Sequence, residues 1–264
     1  VDSGENSKTH LILGDSHSKP QVSNERYLWF ARMILDIRPH VVVDIGDFFD
    51  MESLCSYDKG KSGWERRSYA DDIECGLEAQ SIIKDTIYKY NKKRHRKYRC
   101  KPRMVRCLGN HENRINRALS EQPELSGTVG LHSLKSKEYG WEEHPFLHPV
   151  QVDGVVYCHY FTSGVLGRPI ASTASTASAL ISKKSVTCIQ GHSHTLDYAE
   201  KANAMGFRVQ AFSCGCYMEH EEDYAGPQVN KLWARGALIL RGVGSKDGFS
   251  FEWKNIGTIR ELYS

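Results

Sequence analysis

Short β-rich runs recur along this chain, and each stops at polar side chains able to bind a metal. Leu11-Ile12-Leu13 ends in Gly14-Asp15, and Val41-Val42-Val43-Asp44-Ile45 ends in Gly46-Asp47. Met104 to Leu108 ends in Gly109-Asn110-His111, Val155 to Cys158 in His159, and Val186 to Gln190 in Gly191-His192. Between these runs apolar residues recur at helical spacing. Leu28, Ala31, Ile34 and Leu35 predict a helix over 24–37 stopped by Pro39, and Ile73, Leu77, Ile83 and Ile87 predict another over 72–90. Helices are also expected over 112–119 and 168–183, the latter on a run of Ala, Ser and Thr that lets a helix pack closely on a sheet. From Phe207 onward the pattern turns to strands over 207–212, 233–241 and 249–253, with glycine-rich turns between the last two. Strands alternating with helices predict an α/β fold, and open α/β sheets collect ligands beyond the carboxyl ends of their strands. Neither a repeat nor a linker divides the chain, so a single domain over 1–264 is expected.

Composition narrows the setting. No apolar run approaches the roughly 18 residues of a membrane span, so no membrane association is expected. The first eight residues are polar and lack the apolar segment of a signal peptide. The chain opens on Val1 without a Met, as a domain excised from a longer protein would. Eight cysteines are scattered, several within strand-like runs, which suits small core residues in a reduced cytoplasmic compartment. Cys214 and Cys216 beside His220 match no standard zinc spacing and are read as core thiols.

The net charge of +3 hides an uneven distribution. Lys89 to Arg106 holds ten Lys or Arg residues and no acid, and Glu219 to Asp223 forms a short acidic run. Such runs are usually solvated faces. The basic run also interleaves Tyr90 and Tyr98, a composition suited to the backbone of DNA or RNA. It leads into the strand ending at Asn110 and His111, which would place its end near the cleft.

The strand-end residues are Asp15, His17, Asp47, Asp50, Asn110, His111, His159, His192 and His194. Two divalent ions about 3.5–4 Å apart need such mixed oxygen and imidazole ligands, with one carboxylate spanning both. The mixture suits Mn, Fe or Zn better than Mg or Ca.

Five blocks within this set carry a family resemblance. Asp15-Ser16-His17, Gly46-Asp47-Phe48-Phe49-Asp50, Gly109-Asn110-His111-Glu112, the lone His159, and Gly191-His192-Ser193-His194 follow one another in order. The series resembles that of the calcineurin-like metallophosphoesterase superfamily. The resemblance implies a four-layer α/β/β/α sandwich with a di-metal site at the carboxyl ends of the strands. It implies that Asp15, His17 and His194 hold one ion, that Asn110, His159 and His192 hold the other, and that Asp47 bridges them. His111 would then approach the substrate, with Asp50 orienting its ring, and a water shared by the ions would attack phosphorus. The cofactors expected are two divalent ions, Mn before Fe or Zn.

The substrate is less legible. Asp50 is followed by Met51 rather than Arg-Gly, which speaks against a phosphoprotein phosphatase, and the extension through Arg117 resembles bacterial and phage-type members. Arg114 and Arg117 share a helical face, placed either to clamp a non-reacting phosphate or to meet solvent. Asp44, inside an apolar strand, is either an acceptor for a ligand imidazole or a solvated edge residue. The function expected is metal-dependent hydrolysis of a phosphate ester in nucleic acid or a nucleotide, as nuclease, phosphodiesterase or end-phosphatase. A small-metabolite phosphomonoesterase is the alternative. A binding module with a vestigial site is opposed by the intact motifs. Oligomeric state is not legible.

Overall fold

Leu11, Ile12 and Leu13 point alternately to two different cores, and the same alternation runs through the central strands. In the computed structural model, residues 7–56, 60, 66–171, 175–222, 225–245 and 247–264 are described. With strands numbered in chain order, the first sheet comprises β1 (Lys8–Leu13), β2 (Val41–Asp44), β3 (Arg103–Cys107), β4 (Trp141–His144), β12 (Gly236–Val243) and β13 (Ser250–Asn255). Its order is β13-β12-β1-β2-β3-β4, with β1 to β4 parallel and β12 and β13 antiparallel. The second sheet comprises β5 (Val150–Val152), β6 (Val155–Tyr157), β9 (Cys188–Gln190), β10 (Leu196–Ala202) and β11 (Arg208–Cys214), in the order β10-β11-β9-β6-β5.

Three apolar layers arise from the two-residue period of a strand. Leu11, Leu13, Val42, Ala237 and Ile239 face the helices α1 (Glu25–Ile37), α2 (Tyr69–Lys92) and α6 (Ile256–Tyr263). Ile12, Val41, Val43, Leu238 and Leu240 turn the other way and meet Tyr157, Ile189 and Phe212 of the second sheet. Behind that sheet Cys158, Cys188 and Ala211 pack against Ala177, Leu180 and Ile181 of α4 (Thr176–Lys184). Helix, sheet, sheet and helix therefore form the expected four layers. No helix of the described residues is long and apolar enough to cross a membrane.

Two local expectations are corrected. The helix foreseen over 168–183 begins only at Thr176, where the Ser175 side chain accepts a hydrogen bond from the Ser178 N–H. Arg168–Pro169 instead pairs as β8 with β7 (Thr162–Ser163), and residues 172–174 of the small-residue run lie outside the described residues. Asp44 is neither an imidazole acceptor nor solvated. It is fully buried, and its Oδ2 takes a 2.6 Å bond from Nε of the equally buried Arg106.

Arg106 also reaches Gln80 Oε1 at 2.7 Å, and its guanidinium lies 4.3 Å from the Phe48 ring and 4.6 Å from that of Trp141. The tenth cation of the basic run is therefore a core residue. The other nine lie on a different side of the molecule from the one expected. The run enters β3 at its amino end: Arg103 N–H donates to His40 O, and Arg38 donates to Tyr98 O. The metal-competent residues lie beyond the carboxyl ends, about 20 Å away along the seven residues from Arg103 to Asn110 at strand rise. The acidic run is not a simple solvated face either. Glu222 is buried against Lys19 and His220, Glu219 pairs with Arg260, and Asp223 lies outside the described residues.

Candidate metal centre

Loops leaving β1, β2, β3, β6 and β9 converge where the carboxyl ends of the two sheets meet. Among the described residues, three groups of donors have their ligand atoms within 4.8 Å of one another: Asp15–His17–His194, His17–Asp47–His111, and Asp47–His159–His192. They form one chain of sites with His17 and Asp47 as shared members. Within it His194 Nε2 lies 3.1 Å from Asp15 Oδ2, and His159 Nε2 lies 3.3 Å from Asp47 Oδ2. Asn110 joins through Oδ1, 2.9 Å from His159 Nε2. All seven residues foreseen as ligands are thus assembled in one place.

The ring orientations suit metal binding. A ligating imidazole presents one nitrogen to the ion when the other donates to a carbonyl or carboxylate. His159 Nδ1 lies 3.1 Å from Ile45 O, which leaves Nε2 toward Asn110 and Asp47. His17 Nδ1 lies 2.8 Å from Asp50 Oδ1, which turns its Nε2 toward His194. Asp50 does more than foreseen, because the same Oδ1 is also 2.8 Å from His111 Nδ1. His111 Nε2 lies 3.8 Å from Asp47 Oδ2 and 3.2 Å from the Arg114 guanidinium.

The backbone is strained where these side chains converge. His17, Asp47, Met51, His192 and His194 all adopt left-handed φ between 43° and 69°, which residues bearing a Cβ rarely adopt. Two motif glycines are required by close approach. A Cβ at Gly109 would fall 2.0 Å from Asp47 Oδ1, and one at Gly191 would fall 2.1 Å from Asp15 Oδ1.

Glu112 lies beneath this loop, fully buried. Its Oε2 accepts from Asp47 N–H at 3.0 Å and Gly109 N–H at 2.8 Å, and its Oε1 accepts from Phe49 N–H at 2.8 Å. Burial, then the Asp47 and Asp44 carboxylates, push Glu112 up to about 7, a repulsion that positive charge at Asp47 would relieve. Burial also lowers His192, with His159 adding to the effect, to about 4, so its ring stays neutral with a lone pair to give. For His159 burial acts the same way, but Asp47 and Asp15 overcome it and raise the ring to about 9. Asp47 is held well below the usual carboxylate range because His159 and His111 outweigh its burial. Buried carboxylates among imidazoles, with oxygen and nitrogen donors converging, fit the binding of divalent cations.

The two arginines separate. Arg114 on α3 (Asn113–Glu121) donates to Asp50 O at 2.9 Å and Met51 O at 3.2 Å, and sits 3.2 Å from His111 Nε2. Arg117 is exposed and lines a shallow cavity with Ser53, Leu54 and Leu125, apart from the three donor groups. Several neighbours escaped sequence reasoning. Tyr160 packs on His192 at 4.6 Å and Trp233 on His194 at 4.5 Å between ring centroids. Lys19 bonds Glu52 and Glu222 at 3.1 and 3.0 Å. Tyr160 and Lys19 adjoin motif residues and were findable by position. Trp233 and Glu222 arrive from the carboxyl-terminal third with no local sign.

Fold and site together define an α/β/β/α two-sheet protein with a buried Asp/His cluster able to hold metal ions. Neither a protein-family model nor a curated protein matches the chain. Similar solved structures include TT1561 of Thermus thermophilus, at 8% identity over 94% of this chain and 99% of that one, with a TM-score of 0.36. Another is the calcineurin-like phosphoesterase YfkN from Bacillus subtilis, at 12% identity over 95% of this chain and 91% of that one, with a TM-score of 0.38. At such values the fold assignment rests on the strand order and the three core layers described above.

Proposed function

We propose that this chain is a two-metal hydrolase of phosphate esters. Asp15, His17 and His194 hold one ion, Asn110, His159 and His192 the other, and Asp47 spans both. The observation that carries this is the continuity of the donor groups: His17 links Asp15 and His194 to Asp47, and Asp47 links that set to His159 and His192. Divalent ions bound there supply Lewis acidity, neutralising phosphate oxygens and lowering the pKa of water. The chain's own residues do the rest. Asp50 fixes His17 and His111 through one oxygen, so the two rings keep their mutual angle. His111 holds its Nε2 between Asp47 and Arg114, where the ring, once protonated and released from Arg114, would stabilise a phosphate oxygen or protonate the leaving oxygen. Arg114 pins the Asp50–Met51 carbonyls and stands beside His111, a cation within reach of a non-reacting phosphate oxygen. Mn is the preferred metal on the ligand set, ahead of Fe or Zn.

For the substrate we favour a nucleotide or a nucleic-acid end, because Tyr160 and Trp233 flank the two sides of the cluster with aromatic rings. The small phosphomonoester remains the competing substrate, since the basic run offers no path into the cleft. The test is a panel of bis-p-nitrophenyl phosphate, p-nitrophenyl phosphate, and single- and double-stranded DNA, after chelation and after adding Mn²⁺. Hydrolysis that vanishes on chelation and returns with Mn²⁺ supports the centre. Full activity after verified metal removal overturns it, and turnover of p-nitrophenyl phosphate with no hydrolysis of a nucleoside monophosphate or a 5′-phosphorylated oligonucleotide added to the panel overturns the nucleotide preference.

A further inference from the structure

The basic loop at the amino ends of the strands has no part in the metal centre, yet it is firmly built. Lys89, Lys92, Lys93, Arg94, Arg96, Lys97, Arg99 and Lys101 are all exposed, and among the described residues none forms an ion pair with a carboxylate. Eight cations within thirteen residues repel one another, which costs stability unless something holds them together. Here the backbone does. Asn91 Nδ2 donates to Cys100 O at 2.7 Å while Cys100 N–H donates to Asn91 Oδ1 at 2.7 Å, closing the loop at its base. Cys100 is buried beneath it, Arg99 donates to Arg94 O, and Arg94 lies 3.4 Å over the Tyr90 ring. Lys93, Arg94, Arg96, Lys97 and Arg99 are therefore displayed on a closed, internally bonded loop, with Lys89 and Lys92 on the last turn of α2 and Lys101 just beyond the closure. Two tyrosines beside them, Tyr88 and Tyr98, are 62% and 58% exposed.

We infer that this loop is a docking surface for single-stranded nucleic acid, separate from the metal centre and on the opposite end of the first sheet. The cations match a phosphate backbone, and the open tyrosine faces match unpaired bases, which stack on aromatic rings without regard to sequence. An anionic membrane surface would match the charge, but among the described residues the loop exposes no large aliphatic side chain to insert beside its tyrosines, and it serves as the competing outcome.

The test uses the whole chain with chelator present and a fluorescent oligothymidylate of about 20 nucleotides, followed by anisotropy. With about five phosphate contacts, affinity should fall about 100-fold between 50 and 200 mM salt. Lys92→Glu/Lys93→Glu/Arg96→Glu/Lys97→Glu spares Arg94 and Arg99, which bond within the loop, and should flatten that dependence almost completely. Tyr98→Ala should weaken binding about tenfold with the salt dependence unchanged. Asp47→Ala should bind the oligonucleotide as wild type does, whatever becomes of hydrolysis, so this surface and the proposed reaction fail separately. Thermal melting guards against misfolded variants, with Lys92→Gln/Lys93→Gln/Arg96→Gln/Lys97→Gln as the milder set. Equal binding by wild type and both sets overturns the inference. So does loss of binding in Asp47→Ala, which would put the strand at the metals. Binding to phosphatidylserine vesicles without oligonucleotide binding also overturns it.

Discussion

Glu112→Gln is the most informative substitution the site offers, because it changes one atom in a residue that touches no substrate. The native carboxylate accepts three N–H bonds, from Asp47, Phe49 and Gly109. The amide has one acceptor oxygen, able to take two of these, and its NH₂ must face the third donor. One to two buried hydrogen bonds are lost, each about 1–3 kcal/mol, so after relaxation a loss of about 2–4 kcal/mol is expected. In a chain of this size that lowers Tm by about 4–8 °C. The larger consequence lies in Asp47, held at φ 54° with its own N–H on Glu112. Once that backbone relaxes toward ordinary φ, the carboxylate leaves the position shared by two donor groups, and Mn²⁺ affinity should fall about 10–100-fold. Calorimetric titration of the metal-depleted protein with Mn²⁺ reads this, and thermal melting without metal reads the stability. A lower Tm with unchanged Mn²⁺ affinity would make Glu112 a structural residue only. No change in either would refute the clamp.

Three other outcomes are expected. His111→Asn should keep metal occupancy while turnover falls about 10²–10⁴-fold; metal analysis showing a lost ion would instead make His111 a ligand. Arg106→Ala strands the buried Asp44 carboxylate and should cost about 3–5 kcal/mol in urea unfolding, with Asp44→Asn in the same chain recovering part of it. His10 is fully buried, with Nδ1 2.7 Å from Tyr157 O–H and Nε2 3.1 Å from Asp153, and burial lowers its pKa to about 4 against the pull of Asp153. The unfolded chain binds the proton first, so stability should drop by about 3 kcal/mol as pH falls from about 6.5 to about 4, and His10→Asn should lose that share of the slope.

The site was legible because its chemistry is local. Each ligand sits two to four residues beyond a strand, and glycines precede Asp15, Asp47, Asn110 and His192 where backbone meets backbone or, at Gly109 and Gly191, a carboxylate. Strand alternation gave the inner sheet for the same reason, since the two-residue period of β1 and β2 is set by the pleat itself. The edge strand β13 was foreseen over 249–253, but the edge strands β4 and β10 were not. β4 reads Trp-Glu-Glu-His and β10 reads Leu-Asp-Tyr-Ala-Glu-Lys-Ala, half-exposed patterns with little apolar signal.

The errors share a different cause, which is that charge carries no address. Arg106 looks like the last cation of a basic run, yet the period of β3 turns it away from Val105 and Cys107 into the core beneath the helices, among Phe48 and Trp141, toward the one acid buried on the neighbouring strand. Asp44 and Arg106 are register partners in parallel strands, so neither environment can be read from its own segment. The direction of the strand decides the rest of the run. A parallel strand holds the segment entering it and the segment leaving it apart by its full length, so cations feeding β3 and ligands leaving it must stand at opposite ends of the sheet. Adjacency in sequence across a strand is therefore evidence of separation in space. For this chain it divides the basic loop from the metal centre, and any nucleic acid bound at the loop must bend around the sheet's end or belong to another site altogether.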